Sequence, residues 1–203
     1  MRKRDPIPDP ETLTTSSLLE WLKAADGSDR NDAAEELGAR RVVSAWRPLC
    51  RLLRDPYWVV RCSAAESLKM VGARIAIPYL RRALKTLNPV VKGYVSESLA
   101  VLGDAASRPA FERMTRSRNA RIRMDGAAAL YILGDREELS NVIEALTNSN
   151  HQNQCAAANN LAELTRPEDA PLAISGLQKA IAVEKNPARI SDFKKAIREL
   201  RQL

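Results

Sequence analysis

Two columns of cations run through the middle of this sequence. Arg51, Arg82 and Arg113 stand 31 residues apart, and Arg54, Lys85 and Arg116 repeat the interval three residues later. Residues three apart share one face of a helix, so each pair projects two positive charges from the same surface. Guanidinium and ammonium groups at that spacing recognise carboxylates and phosphates. Arg47, Arg81, Arg118 and Arg121 lie close by. Residues 40–123 hold 18 Lys/Arg against 5 Asp/Glu, a formal +13, and the remainder holds 14 against 20, or −6, which sums to +7 for the whole chain. A block this one-sided attracts an acidic protein surface or a phosphate backbone. Both columns stop in the next repeat, at Glu144 and Thr147. Tyr57 and Trp58 stand between Arg54 and Arg61, where an exposed aromatic would anchor a partner. The candidate binding surface is therefore Arg47, Arg51, Arg54, Tyr57, Trp58, Arg82, Lys85, Arg113 and Arg116.

Other chemistry finds little support. His151 is the one histidine, placed in a polar turn, which argues against a Ser-His-Asp or Cys-His arrangement. Cys50, Cys62 and Cys155 form no CxxC pair, so neither a zinc site of usual spacing nor a disulfide framework is expected, and the thiols read as small core residues. No GxxxxGK[ST], GxGxxG or GxSxG motif occurs. A carboxylate-only site leaves Asp125, near Arg121 and Arg123, as the single catalytic candidate. No metal and no cofactor is expected, and the residues lean against an enzyme.

The elements that position these side chains are set by the same period. Leu37, Leu68, Leu99, Leu130 and Leu161 recur every 31 residues, with Ala33, Ala64, Val95, Gly126 and Ala157 four positions before them. A fixed period of 20–50 residues signals a solenoid. Unit two shows its content. Val42 to Arg54 reads as a helix with Trp46, Leu49, Leu52 and Leu53 on its apolar side, and Asp55-Pro56 breaks it. Val59 to Val71 reads as a second helix with Val60, Ala64, Leu68 and Val71 on one face. Gly72, Gly103 and Gly134 end the second helices, and Asn88, Asn119 and Asn150 mark the turns within units. The expected fold is all-α: a curved, right-handed α-solenoid of about five to six stacked hairpins. Residues 1–16 read as an irregular arm, and 17–203 as one solenoid with units near 17–41, 42–72, 73–103, 104–134, 135–165 and 166–203. No run approaches 18 apolar residues, and the N-terminal segment lacks the apolar stretch of a signal peptide, so no membrane is expected and a cytoplasmic location is. The second helices carry Glu35, Glu66 and Glu97 two residues before their leucines, an acidic row expected to border the concave wall.

The stretch DPYWVVRCSAAESLKMVG at 55–72 resembles the second-helix signature of HEAT repeats, D-x-x-x-V-R-x-x-A-A-x-x-L-x-x-x-G. It is most similar to the short bacterial subclass named after phycobiliprotein bilin lyases. The resemblance implies that Asp55 and the column Arg61, Lys92 and Arg123 tie turns to helices of neighbouring units. In the later units the Asp position holds Thr86, Ser117 and Asn148, so the ladder there is polar. Such repeats serve adaptors, inhibitors, lyase subunits and nucleic-acid binders alike. The leading reading is a non-enzymatic protein-binding scaffold, adaptor or regulatory subunit, a monomer or heterodimer whose partner is another protein with an acidic surface. The alternatives are nucleic-acid binding through the basic middle and a bilin lyase or isomerase subunit.

Overall fold

The computed structural model describes residues 9–148 and 150–203. Among the described residues there are twelve α-helices, joined by turns and short 3-10 segments, and no strand. They form hairpins, the first five of a short and a longer helix and the last of two equal ones: α1 (Thr15–Trp21) with α2 (Gly27–Ala39), α3 (Trp46–Leu52) with α4 (Trp58–Met70), and α5 (Ile77–Ala83) with α6 (Pro89–Val101). Then come α7 (Arg108–Thr115) with α8 (Ala120–Ile132), α9 (Leu139–Glu144) with α10 (His151–Leu164), and α11 (Ala170–Val183) with α12 (Pro187–Leu200). The chain divides into two compact units, one ending at Asp104 and the other beginning at Ala105. In the first, α2 packs on α4 and α4 on α6. In the second, α8 packs on α10 and α10 on α12.

The leucine and small-residue columns are the core. Leu37, Leu68, Leu99, Leu130 and Leu161 are buried, as are Ala33, Ala64, Val95 and Ala157. Gly126 fills the same column on α8 because α7 lies too close for a side chain: a Cβ there would stand 2.7 Å from Met114 Cβ and 3.0 Å from Phe111 O.

The helix ends repeat as well. Four of the anchor leucines accept, at the carbonyl, an N–H five residues on: Leu37 from Val42, Leu68 from Ala73, Leu99 from Asp104 and Leu130 from Asp135. That closure needs a left-handed residue just past the helix. Gly72, Gly103 and Gly134 supply it with φ of 66°, 76° and 114°, and in the first hairpin the position falls to Arg41 at φ 52°. The α10 end departs from the pattern: Thr165 is extended there.

Several expectations need correction. The first helix of unit two is shorter than expected. The segment read as one helix from Val42 to Arg54 is a 3-10 turn, Val43–Ala45, followed by α3. The chain leaves the left-handed residue and must swing back onto the core, and the tighter 3-10 turn does this within three residues. Trp46, expected on the apolar side, is only half-buried, with the Arg47 guanidinium 5.1 Å over its ring. Of the expected irregular arm, residues 1–8 lie outside the described residues; Pro10–Thr12 form a 3-10 turn, and α1 begins at Thr15. Arg40 holds this segment by donating to the carbonyls of Leu13 at 2.7 Å and Glu11 at 2.8 Å. No helix among the described residues is long and apolar enough to cross a membrane.

Candidate functional site

The intra-hairpin turns are built from three repeated devices. An arginine on the second helix reaches back to the turn's carbonyls: Arg30 to Ala24 and Ala25, Arg61 to Asp55 and Pro56, Arg123 to Ser117 and Arg118. A polar side chain in the turn accepts the N–H two residues on: Asp55 from Tyr57, Thr86 from Asn88, Ser117 from Asn119 and Asn148 from Asn150. An Asp or Asn then caps the second helix, as Asp26, Asn88, Asn119 and Asn150 do. Asp55 alone of its column also reaches the preceding hairpin, where it accepts a two-pronged pair from Arg30.

Tyr57 breaks the third device. It occupies the cap position of α4 and makes no side-chain cap bond. Losing such a cap costs about 1 kcal/mol, and natural sequences relax local rules where a site needs another residue. What stands there is an aromatic 59% exposed, followed by Trp58 at 47% and Val59 at 42%. They border a groove of about 280 Å³ shared with Asp26, Ser28 and Asn31.

Beside this edge, α3, α5 and the starts of α4 and α6 enclose a cleft of about 310 Å³. Its lining brings together Arg54, Arg61, Arg82 and Lys85, with Tyr79 and an apolar floor that includes Cys50, Leu53 and Val91. No carboxylate lines it. Burial pushes the Cys50 thiol up to about 11, so it stays neutral under the cations. Arg47, Arg51, Arg54, Arg82 and Lys85 are exposed, and none makes an ion pair among the described residues. Several other cations of this compact unit are matched: Arg30 with Asp55, Arg81 with Asp104, Lys69 with both Glu66 and Glu97. Sequence reasoning missed Tyr79 and Cys50. Tyr79 carried a readable signal, since it precedes Arg82 by three residues on α5.

The second compact unit has the corresponding cleft two periods on, about 230 Å³, between α7, α9 and the start of α8. Arg61, Tyr79, Arg82 and Thr86 become Arg123, Asn141, Glu144 and Asn148, and Glu138 joins them. Arg113 and Arg116 are exposed on α7. The cationic lining belongs to the first unit's cleft.

The other singled-out residues have structural partners. Glu66 and Glu97 share Lys69, and Glu35 accepts from Asn31 at 3.1 Å, so the acidic row is not an uncompensated negative strip. Burial alone would lower Lys69, but the two glutamates raise it above its ordinary value. Asp125 is buried in α8 and accepts from Arg121 Nε at 3.0 and 2.9 Å, so it presents no free carboxylate and lines none of these three clefts. Lys92 is half-buried on α6. Cys50 and Cys62 are buried, but Cys155, expected in the core, is half-buried. Its Sγ lies 3.6 Å from His151 Nδ1 and 3.5 Å from Asp192 Oδ2. Burial and Asp192 both raise the thiol above its ordinary value, the reverse of what an activated nucleophile requires. Among the described residues no group of three or more His, Cys, Asp and Glu is placed to hold a metal.

Comparison with known proteins agrees with this geometry. The family described as HEAT repeats matches residues 15–93. The phycocyanobilin lyase subunit alpha of Picosynechococcus sp. (strain ATCC 27264 / PCC 7002 / PR-6) is 46% identical over 55 residues, 27% of this chain and 20% of that protein. The match therefore spans about a fifth of the relative's length. Among solved structures, a chain of the complex of CpcE and CpcF of phycocyanin lyase from Nostoc sp. PCC7120 is 17% identical, with 98% of this chain and 99% of that chain covered and a TM-score of 0.58. An archaeal HEAT-like repeats protein from Thermococcus onnurineus NA1 is 14% identical over 93% of this chain and 87% of its own, with a TM-score of 0.44. At an identity of 17% the likeness to the Nostoc chain speaks for the fold. The match to HEAT repeats covers residues 15–93, and the same 31-residue helical hairpin continues beyond them in an all-helical fold similar to that of the Nostoc chain.

Proposed function

We propose that this HEAT-repeat scaffold is a non-enzymatic protein-binding adaptor or regulatory subunit, whose partner presents an acidic surface to α3 and α5. The observation that carries the reading is the set of unmatched, exposed cations, Arg47, Arg51, Arg54, Arg82 and Lys85, next to the exposed pair Tyr57 and Trp58. Interfaces concentrate binding energy in aromatic and arginine anchors. Charge-complementary surfaces also speed association. A repeat fold suits the task because each hairpin adds contact area. Arg113 and Arg116 offer the same chemistry on α7. Affinity purification of the tagged chain from its native host, with cross-linking and mass spectrometry, tests this. A reproducible protein partner cross-linked near α3 and α5 supports it, and repeated recovery of the chain without one refutes it.

A second reading is a bilin lyase or isomerase subunit. It is favoured by the 46% identity to the phycocyanobilin lyase subunit alpha over 55 residues. Arginines of the cleft would hold carboxylates of the pigment. Mixing the chain, with any copurifying partner, with phycocyanobilin and following the visible spectrum separates the two readings. A spectral change that saturates supports the lyase reading, and an unaltered spectrum removes it.

A further inference from the structure

We infer that the cleft between α3 and α5 binds a phosphate-bearing small molecule of about the size of a nucleoside diphosphate. This goes beyond partner docking and does not depend on it. The chain matches several of its cations with carboxylates, as in Arg30–Asp55 and Arg81–Asp104. Around this one cleft it leaves four unmatched by any carboxylate: Arg54, Arg61, Arg82 and Lys85. Arg61 spends one nitrogen on the carbonyls of Asp55 and Pro56, and makes no ion pair among the described residues. Like charges converging on one space repel until an anion enters.

Size and shape narrow the ligand. A cleft of about 310 Å³, open on one side, has room for two phosphates and a ring system. Planar guanidiniums hold phosphate oxygens in pairs, and the lysine adds a point charge. Tyr79, 45% exposed in the cleft wall, gives a ring face for a flat heterocycle, and Leu53 and Val91 give it an apolar floor. The second unit's cleft is a built-in comparison. With Asn141 for Tyr79 and Glu144 for Arg82, and with Glu138 beside Arg123, it loses the stacking ring and the excess of positive charge.

The test is isothermal titration of the full-length protein with ADP and with sodium pyrophosphate, each against sodium chloride at matched ionic strength. ADP is expected to bind saturably with a Kd of about 0.1 mM or tighter. Arg82→Glu with Lys85→Glu should weaken both ligands by about tenfold or more. The pair is tolerable to the fold, since both side chains are exposed and Glu144 already stands at the Arg82 position in the other unit. Tyr79→Ala should weaken ADP about fivefold and leave pyrophosphate unchanged. Heats from ADP and pyrophosphate no larger than those of the chloride control overturn the proposal. So does ADP affinity that survives the double charge reversal, because it places the ligand elsewhere. Charge reversal that abolishes partner capture while ADP binds nowhere would leave the adaptor reading standing and this one refuted.

Discussion

Arg30 and Asp55 join two successive hairpins through a two-pronged ion pair, Nε to Oδ2 at 2.7 Å and Nη2 to Oδ1 at 3.0 Å. Both residues are buried, and each has a second duty: Arg30 caps the carbonyls of Ala24 and Ala25, and Asp55 accepts the N–H of Tyr57. The pair sets where the turn that carries Tyr57 and Trp58 sits against α2, and so supports the exposed edge of the candidate site.

This relationship gives a stability–pH prediction. Burial by itself would raise the Asp55 carboxyl, but Arg30 and the Tyr57 N–H outweigh it and hold the group below its ordinary value. A carboxylate depressed in the folded state contributes stability above its unfolded pKa of about 3.9, and that contribution disappears as pH falls through the folded value. Asp55→Asn should cost about 2 kcal/mol at pH 7. Urea melts at descending pH should show the gap between variant and wild type closing below about pH 4. A gap that is constant with pH contradicts the assignment.

Arg41 occupies a conformation that the next three hairpins give to glycine, with φ of 52°. The side chain is exposed and the strain is local. Arg41→Gly should therefore stabilise the protein by about 0.5 kcal/mol, the relief of left-handed strain exceeding the greater freedom of glycine in the unfolded chain. Chemical denaturation would read it as a higher midpoint at unchanged slope.

Gly126→Ala should go the other way. Alanine fills this column at 33, 64 and 157, yet on α8 its methyl would meet Met114 Cβ at 2.7 Å. Overpacking of this kind costs about 1–3 kcal/mol. Thermal unfolding of the variant should fall by several degrees, and an unchanged melt would show that α7 moves away without cost.

Tyr57→Asn separates stability from binding. It restores the cap present at Asn88 and Asn119, worth about 1 kcal/mol, and removes the ring that Arg30 faces at 5.7 Å. Folding stability should stay within about 0.5 kcal/mol of wild type while partner affinity falls about fivefold or more. Surface plasmon resonance and a denaturant melt on the same preparation check both halves.

Much of the fold was legible because the core is periodic. Leu37 to Leu161 and their alanine companions must all face inward, and only stacked hairpins of one length satisfy that. The first helices were not legible in detail. The apolar pattern from Val42 to Leu53 does not distinguish a 3-10 entry from a helical one, since both bury similar side chains. The cations were readable as columns, but their convergence with Tyr79 and Cys50 on one cleft depends on the distance between α3 and α5, which no local spacing encodes. The missing cap was in plain view. Asp26, Tyr57, Asn88, Asn119 and Asn150 lie 31 apart, and the tyrosine is the one member that cannot cap a helix.

Recruitment of an acidic protein partner by the unmatched cations on α3 and α5 is the proposal that the function rests on. The most direct measurement is quantitative capture of that partner by wild type, by Arg54→Glu/Arg82→Glu and by Trp58→Ala, all confirmed folded by circular dichroism. Near-stoichiometric recovery is expected with wild type, about a tenfold or greater loss with the charge reversal, and an intermediate loss with Trp58→Ala. Equal recovery by wild type and the charge-reversed protein would contradict it.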